Sequence, residues 1–105
     1  MNWTQGSIYT SASFIATGPT GAILNLTGLS GANVTLRMRP NAPVGKYATL
    51  GGTSTIVTPT TGAFTYAFAA ADVATPGSFL LVIDVAYSSV PVNSAEIPFI
   101  ISQAS

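Results

Sequence analysis

Apolar residues in this chain recur at every second position, and that period restricts the fold class more than any other feature. Val34, Leu36 and Met38 alternate with Thr35, Arg37 and Arg39. That is the pattern of a strand with one buried face and one wet face. Phe64, Tyr66 and Phe68 alternate with the smaller Thr65, Ala67 and Ala69. Phe79, Leu81, Ile83, Val85 and Tyr87 form one face of a long strand, and Leu80, Val82, Asp84 and Ala86 form the other. The second face begins apolar and turns polar, so this strand is expected to run from a covered region into a wetter one. Further strands are expected over residues 7–15, 22–26, 47–57 and 97–102.

Turn chemistry separates these segments at intervals of about 8–12 residues, the spacing of a sandwich or barrel. Gly and Pro recur in residues 18–21, 28–31, 40–45, 51–52, 58–62, 75–77 and 88–93. One helical turn is expected within residues 68–75, capped by Asp72 and stopped by Pro76-Gly77. Pro91 and Pro98 lack a backbone donor, which places the last strand at a sheet edge or starts it at a bulge. The chain has 105 residues, and immunoglobulin-like sandwiches need about 100. The expectation is therefore all-β: a single immunoglobulin-like antiparallel β-sandwich of about seven strands. It forms one domain over residues 1–105, with residues 1–6 as a candidate N-terminal docking arm.

The chemistry on offer is narrow. Three basic residues (Arg37, Arg39, Lys46) balance three acidic ones (Asp72, Asp84, Glu96). Charged residues total 6% of the chain, against about 25% in an ordinary domain. A chain with so little charge has no long-range field to draw nucleic acid or an anionic membrane, so neither is expected as a partner. Its most apolar run, residues 79–83, is too short to span a bilayer. There is no cysteine and no histidine. Ser-His-Asp and Cys-His nucleophilic sites are thereby excluded, together with the usual zinc ligands. Around Gly45-Lys46 the phosphate-binding loop pattern is broken, with Pro40 at the first glycine position and Tyr47 after the lysine. Asp72, Asp84 and Glu96 show no clustered spacing and read as a cap, a solubilising strand residue and an edge guard. The protein is expected not to be an enzyme and to need no cofactor or metal.

Four residues are candidate partner contacts: Trp3, Arg37, Arg39 and Tyr47. Arg37 and Arg39 are two apart on one strand and project from the same face. They could grip a partner's carboxylates, or form a solvated face in which one pairs with Asp84 on a neighbouring strand. Trp3, the only tryptophan, suits either an interface anchor or a plug at one end of the sandwich. Tyr9, Tyr47 and Tyr87 could make a sugar-stacking platform, or belong to the core and its rim.

The segments Leu26-Thr27-Gly28, Ala32-Asn33-Val34-Thr35-Leu36-Arg37-Met38-Arg39, Thr61-Gly62-Ala63-Phe64-Thr65-Tyr66 and Asp72-Val73-Ala74-Thr75-Pro76-Gly77-Ser78-Phe79 follow one another in a familiar order. In that order and spacing, over residues 22–101, the chain resembles the N-terminal immunoglobulin-like domain of phage baseplate upper proteins. The resemblance implies a virion component that docks receptor-binding or fibre proteins onto a particle. The expected function is a non-enzymatic phage structural protein, a tail, baseplate or head–tail adaptor working through symmetric protein–protein contacts. A capsid decoration protein of the same fold is one alternative, and a carbohydrate-binding module is another of a different class. Expected partners are other virion proteins (tail, baseplate, portal or capsid) and further copies of the chain in a symmetric homo-oligomer. The opening residues lack the basic and long apolar regions of a signal peptide. The expected location is accordingly the virion, after synthesis in the host cytoplasm.

Overall fold

A computed structural model of the protein describes residues 2–8, 11–41, 45–87 and 90–103. Strands occupy 52% of the chain, and among the described residues no helix reaches seven residues. Nine strands occur among the described residues: β1 (Asn2–Thr4), β2 (Ala12–Ile15), β3 (Val34–Pro40), β4 (Ala48–Thr49), β5 (Thr53–Thr58), β6 (Ala63–Ala67), β7 (Gly77–Tyr87), β8 (Val90–Asn93) and β9 (Ile97–Ser102). The larger sheet runs β1-β9-β7-β3-β4, with β8 also paired to β7. The smaller sheet runs β2-β6-β5.

The alternation seen in the sequence is the alternation of burial. On β3, Val34 and Leu36 are buried, while the intervening Thr35 and Arg37 keep partial access to water. On β7, Leu81, Ile83 and Val85 are fully buried, and Phe79 and Tyr87 pack against the same core. β3 and β7 pair antiparallel over seven residues, from Val34 opposite Val85 to Pro40 opposite Phe79, so their inward faces coincide. From the smaller sheet Phe14, Phe64 and Tyr66 enter the same cluster. Phe68, just past β6, joins the two sheets. It meets Tyr66 at 5.2 Å and Trp3 at 4.9 Å edge-on, and it stacks on Phe99 of β9 at 5.6 Å.

The expected strand over residues 47–57 is two strands in different sheets. β4 belongs to the larger sheet and β5 to the smaller, and the chain crosses between them at Gly51-Gly52. Gly52 has no room for a side chain, because a Cβ there would lie 2.2 Å from the Ala67 carbonyl and 2.6 Å from the Tyr66 ring. A later crossing, from β6 back to β7, contains the short 3₁₀ turn Ala70–Val73. Asp72 is the third residue of this turn. Its carboxylate accepts 2.9 Å bonds from the backbone N–H of Ala69 and, across the gap, from that of Gly51. Asp72 thus caps the turn through Ala69, as expected, and also clamps it to the β4–β5 crossing.

Other expectations change in the folded chain. Only Ala12–Ile15 of residues 7–15 forms a strand, with Tyr9 and Thr10 outside the described residues. Residues 22–26 form no strand. They make one bridge, Thr17 opposite Ile23, and bonds from Leu24 to Ala16 and from Leu26 to Pro59. The sheet is not wholly antiparallel, because β1 runs parallel to β9, with Trp3 opposite Ile101. The N-terminal arm is thus docked on its own sheet over Asn2–Thr4. Nor is β9 an edge strand, since β1 covers its far side from Ile100 to Ser102. Pro98 precedes that stretch and follows a bulge. Two β7 residues, Val82 and Ile83, face three residues, 94–96, between the β8 and β9 registers. Ser94 fills the break: its N–H donates to Ile83 O, and its hydroxyl accepts from Ile83 N–H, both at 2.9 Å.

Two outcomes test this account. Leu81→Ala should lower unfolding free energy by about 2–5 kcal/mol in denaturant titration, as expected for a large side chain removed from a closed core. Burial, aided by the Asp72 charge, pushes the Tyr66 phenol up to about 12. Its contribution to stability is complete below the ordinary tyrosine value near 10, and is lost between that value and 12 as the unfolded chain ionises first. Denaturant midpoints should fall across that alkaline window, and Tyr66→Phe should reduce the slope.

Candidate functional site

β3 carries Arg37 and Arg39 on the outward face of the larger sheet, opposite Val82 and Leu80 of β7. The segment leading into β4 places Tyr47 beside both. The Arg39 guanidinium carbon lies 5.4 Å from the Tyr47 ring centroid and that of Arg37 lies 6.0 Å away, at the range where a cation is attracted to the ring. Three of the four residues singled out in the sequence therefore meet at one place.

The two arginines are differently employed. Arg39 donates from Nε at 3.0 Å and from Nη2 at 2.7 Å to Glu96 Oε2, and the Tyr47 hydroxyl donates to the same oxygen. Glu96 sits 57 residues away in the chain, in the bulge before β9, and nothing local in the sequence pairs it with Arg39. The bonds from Tyr47 and Arg39 hold the Glu96 carboxyl below the ordinary carboxylate value. Burial and the bond to Glu96 push the Tyr47 phenol up. Arg37 has only a loose partner, with Nε 3.7 Å from Asp84 Oδ2. That is the neighbouring-strand pairing foreseen for the solvated-face reading, but without a hydrogen bond. Arg37 Nε and Asp84 Oδ1 are both closed to solvent and unbonded among the described residues. Arg39 is a committed ion pair, whereas Arg37 retains most of its donors.

Trp3 stands apart from this cluster. Its ring faces inward against Phe68, and its indole N–H donates to the Ser7 carbonyl at 2.8 Å. Partly buried against the core, it has the packing that the plug reading calls for. Tyr47 and Tyr87 do not share a platform, since Tyr87 packs against the core and donates to the Asn25 carbonyl; Tyr9 lies outside the described residues. The three carboxylates are also dispersed, with Asp72 between the crossovers, Asp84 beside Arg37 and Glu96 beneath Tyr47.

Comparison with known protein families, curated proteins and solved structures returns no match for this chain. The reading of the site rests on its geometry. The outer face of the larger sheet carries one spent and one unspent guanidinium beside an aromatic ring, a donor arrangement suited to a carboxylate.

The shared Glu96 oxygen gives a direct test. Tyr47→Phe removes one donor from the carboxylate, so the Glu96 titration followed by carbon NMR should move up toward the ordinary value. An unchanged titration would mean that Tyr47 does not bond Glu96 in solution.

Proposed function

We propose that the protein is a non-enzymatic structural component of a phage particle, built as an immunoglobulin-like sandwich and acting through protein–protein contact. The strand order supports the fold. In immunoglobulin variable-type domains, one sheet is made of the second, fifth and fourth principal strands, and the other is made of the last, sixth and third with an added strand beyond the third. Here β2-β6-β5 faces β9-β7-β3-β4, with the first strand moved onto the β9 edge. The resemblance to the phage baseplate family is carried by the order of motifs over residues 22–101 described above.

The observation that carries the function is the placement of charge. Arg37, Arg39 and Glu96 meet Tyr47 on the outer side of the larger sheet, Asp84 lies beyond Arg37 on the same side, and the exposed Lys46 precedes Tyr47 in sequence. In a chain with six charged residues, that leaves only Asp72, which is buried. Such a face offers orientation and register to a partner. The remaining surface is neutral and can be covered at little desolvation cost.

Two measurements test the reading. Mass spectrometry of purified particles should find the protein in stoichiometric amount, and deletion of its gene should impair assembly. Its absence, or presence in traces only, would remove the virion role. Within a particle, Arg37→Ser should weaken attachment more than Arg39→Ser, because Arg39 is already engaged by Glu96. Equal attachment of both variants and the wild type would reduce the pair to a solvated face.

A further inference from the structure

The two sheet faces differ in kind. The outer face of the smaller sheet carries no charged residue: its outward side chains are Ser13 and Ile15 on β2, Ala63, Thr65 and Ala67 on β6, and Thr53, Thr55, Val57 and Thr58 on β5. Ala63 lies across from Ile15, and on its other side a register shift after Ile56 brings Thr58 opposite it, with the exposed Val57 just before. The short Ala63 side chain leaves an open cavity of about 210 Å³ between Ile15 and Val57, with Phe14 and Phe64 also contributing to its lining. Next to it, the Thr17–Ile23 bridge continues the line of β2 and presents Ile23, which is 62% exposed. Val57 and Ile15 are 60% and 47% exposed. One face thus holds both an apolar hole and an apolar knob.

We propose that this face is where the protein meets a second copy of itself, face to face about a two-fold axis. Each copy's Ile23 then sits in the Ala63 cavity of the other. The proposal names a partner for the structural role argued above and rests on it. A two-fold contact must be self-complementary, and a hole and a knob on the same face satisfy that requirement whatever their separation. A cavity of about 150 Å³ already admits a benzene ring, so one isoleucine side chain fits. Covering this face strips water from no charged group, and the net charge of zero provides no repulsion between copies. The adjoining edges, β2 and β5, also lack the charged residues that usually keep sheet edges apart.

The contact is small. Three strands about 4.8 Å apart and up to six residues long, at about 3.3 Å each, make a patch on the order of 300 Å². A standard interface buries about 800 Å² per partner. Two free copies therefore associate weakly, and the contact gains strength where copies are already held at high local concentration.

The absence of cysteine allows the contact to be trapped through introduced thiols. Ile23→Cys and Ala63→Cys are prepared separately, shown to be folded by thermal melting, and mixed in a thiol–disulfide buffer. The mixed disulfide should form about ten-fold faster than that between Ile23→Cys and Thr35→Cys, whose thiol lies on the opposite sheet. Adding Ile15→Lys to both partners should abolish the difference. As a second readout on the unaltered protein, amide NMR signals of Val57, Ala63 and Thr65 should move across a concentration series into the millimolar range. Equal disulfide rates together with concentration-independent spectra overturn the self-contact, even if the protein is abundant in particles. Fast trapping with the protein absent from particles would instead keep the self-contact and remove the virion role.

Discussion

Gly77–Tyr87 has to satisfy its backbone on both edges and bury one face for most of its length, and the positions of the other strands follow from how it does so. One edge is taken by β3 in a seven-residue antiparallel register. The opposite edge is shared, with β9 against its first half and β8 against its second. A continuous strand on that side would have carried a single register throughout. The bulge at residues 94–96 shifts the register instead, and Ser94 provides both a donor and an acceptor where the ladder is interrupted. That shift matters beyond the backbone, since it brings Glu96 to the outer side within reach of Arg39 and Tyr47. The ion pair on the surface is a consequence of the way the central strand is flanked.

Two of the crossings between sheets, β4 to β5 and β6 to β7, depend on close approach. Gly52 passes the Tyr66 ring and the Ala67 carbonyl at distances that exclude any side chain. Asp72 ties that crossing to the turn after β6 through two charge-assisted bonds to backbone N–H groups. Next to them Phe68 touches Trp3, Tyr66 and Phe99, linking β1 and β9 to β6 through aromatic contacts. A buried carboxylate is costly unless its bonds are made, so Asp72 gains its place from the two crossovers it holds together. With that one acidic group inside, the remaining charge is left to one sheet face, and the other face is neutral.

Much of the core was legible before folding. Val34, Leu36, Phe64, Tyr66, Leu81 and Ile83 reveal their inward faces through period-two alternation alone, because a pleated strand sends successive side chains to opposite sides. The turn at Gly51-Gly52 was also visible as a turn, but not as a passage between sheets. Local chemistry states that the chain bends there, and it is silent on which neighbour each flanking strand will find. β1 could not be foreseen for a related reason. Three residues carry no periodicity, and Asn2–Thr4 becomes a strand only because β9 offers an open edge and Phe68 offers a surface for Trp3.

The candidate site divides along the same line. The spacing of Arg37 and Arg39 placed them together on one face, and the pairing of one of them with Asp84 could be anticipated from an alternating strand. That Arg39 is satisfied while Arg37 is not depends on Glu96, 57 residues away, and on the bulge that aims it. Sequence alone determined which side chains share a face, since that is a property of backbone geometry within a strand. Only the tertiary structure decided which faces meet, which guanidinium is spent and where the neutral surface lies. Strand pairing joins residues distant in the chain, and no local pattern encodes the register in which they meet.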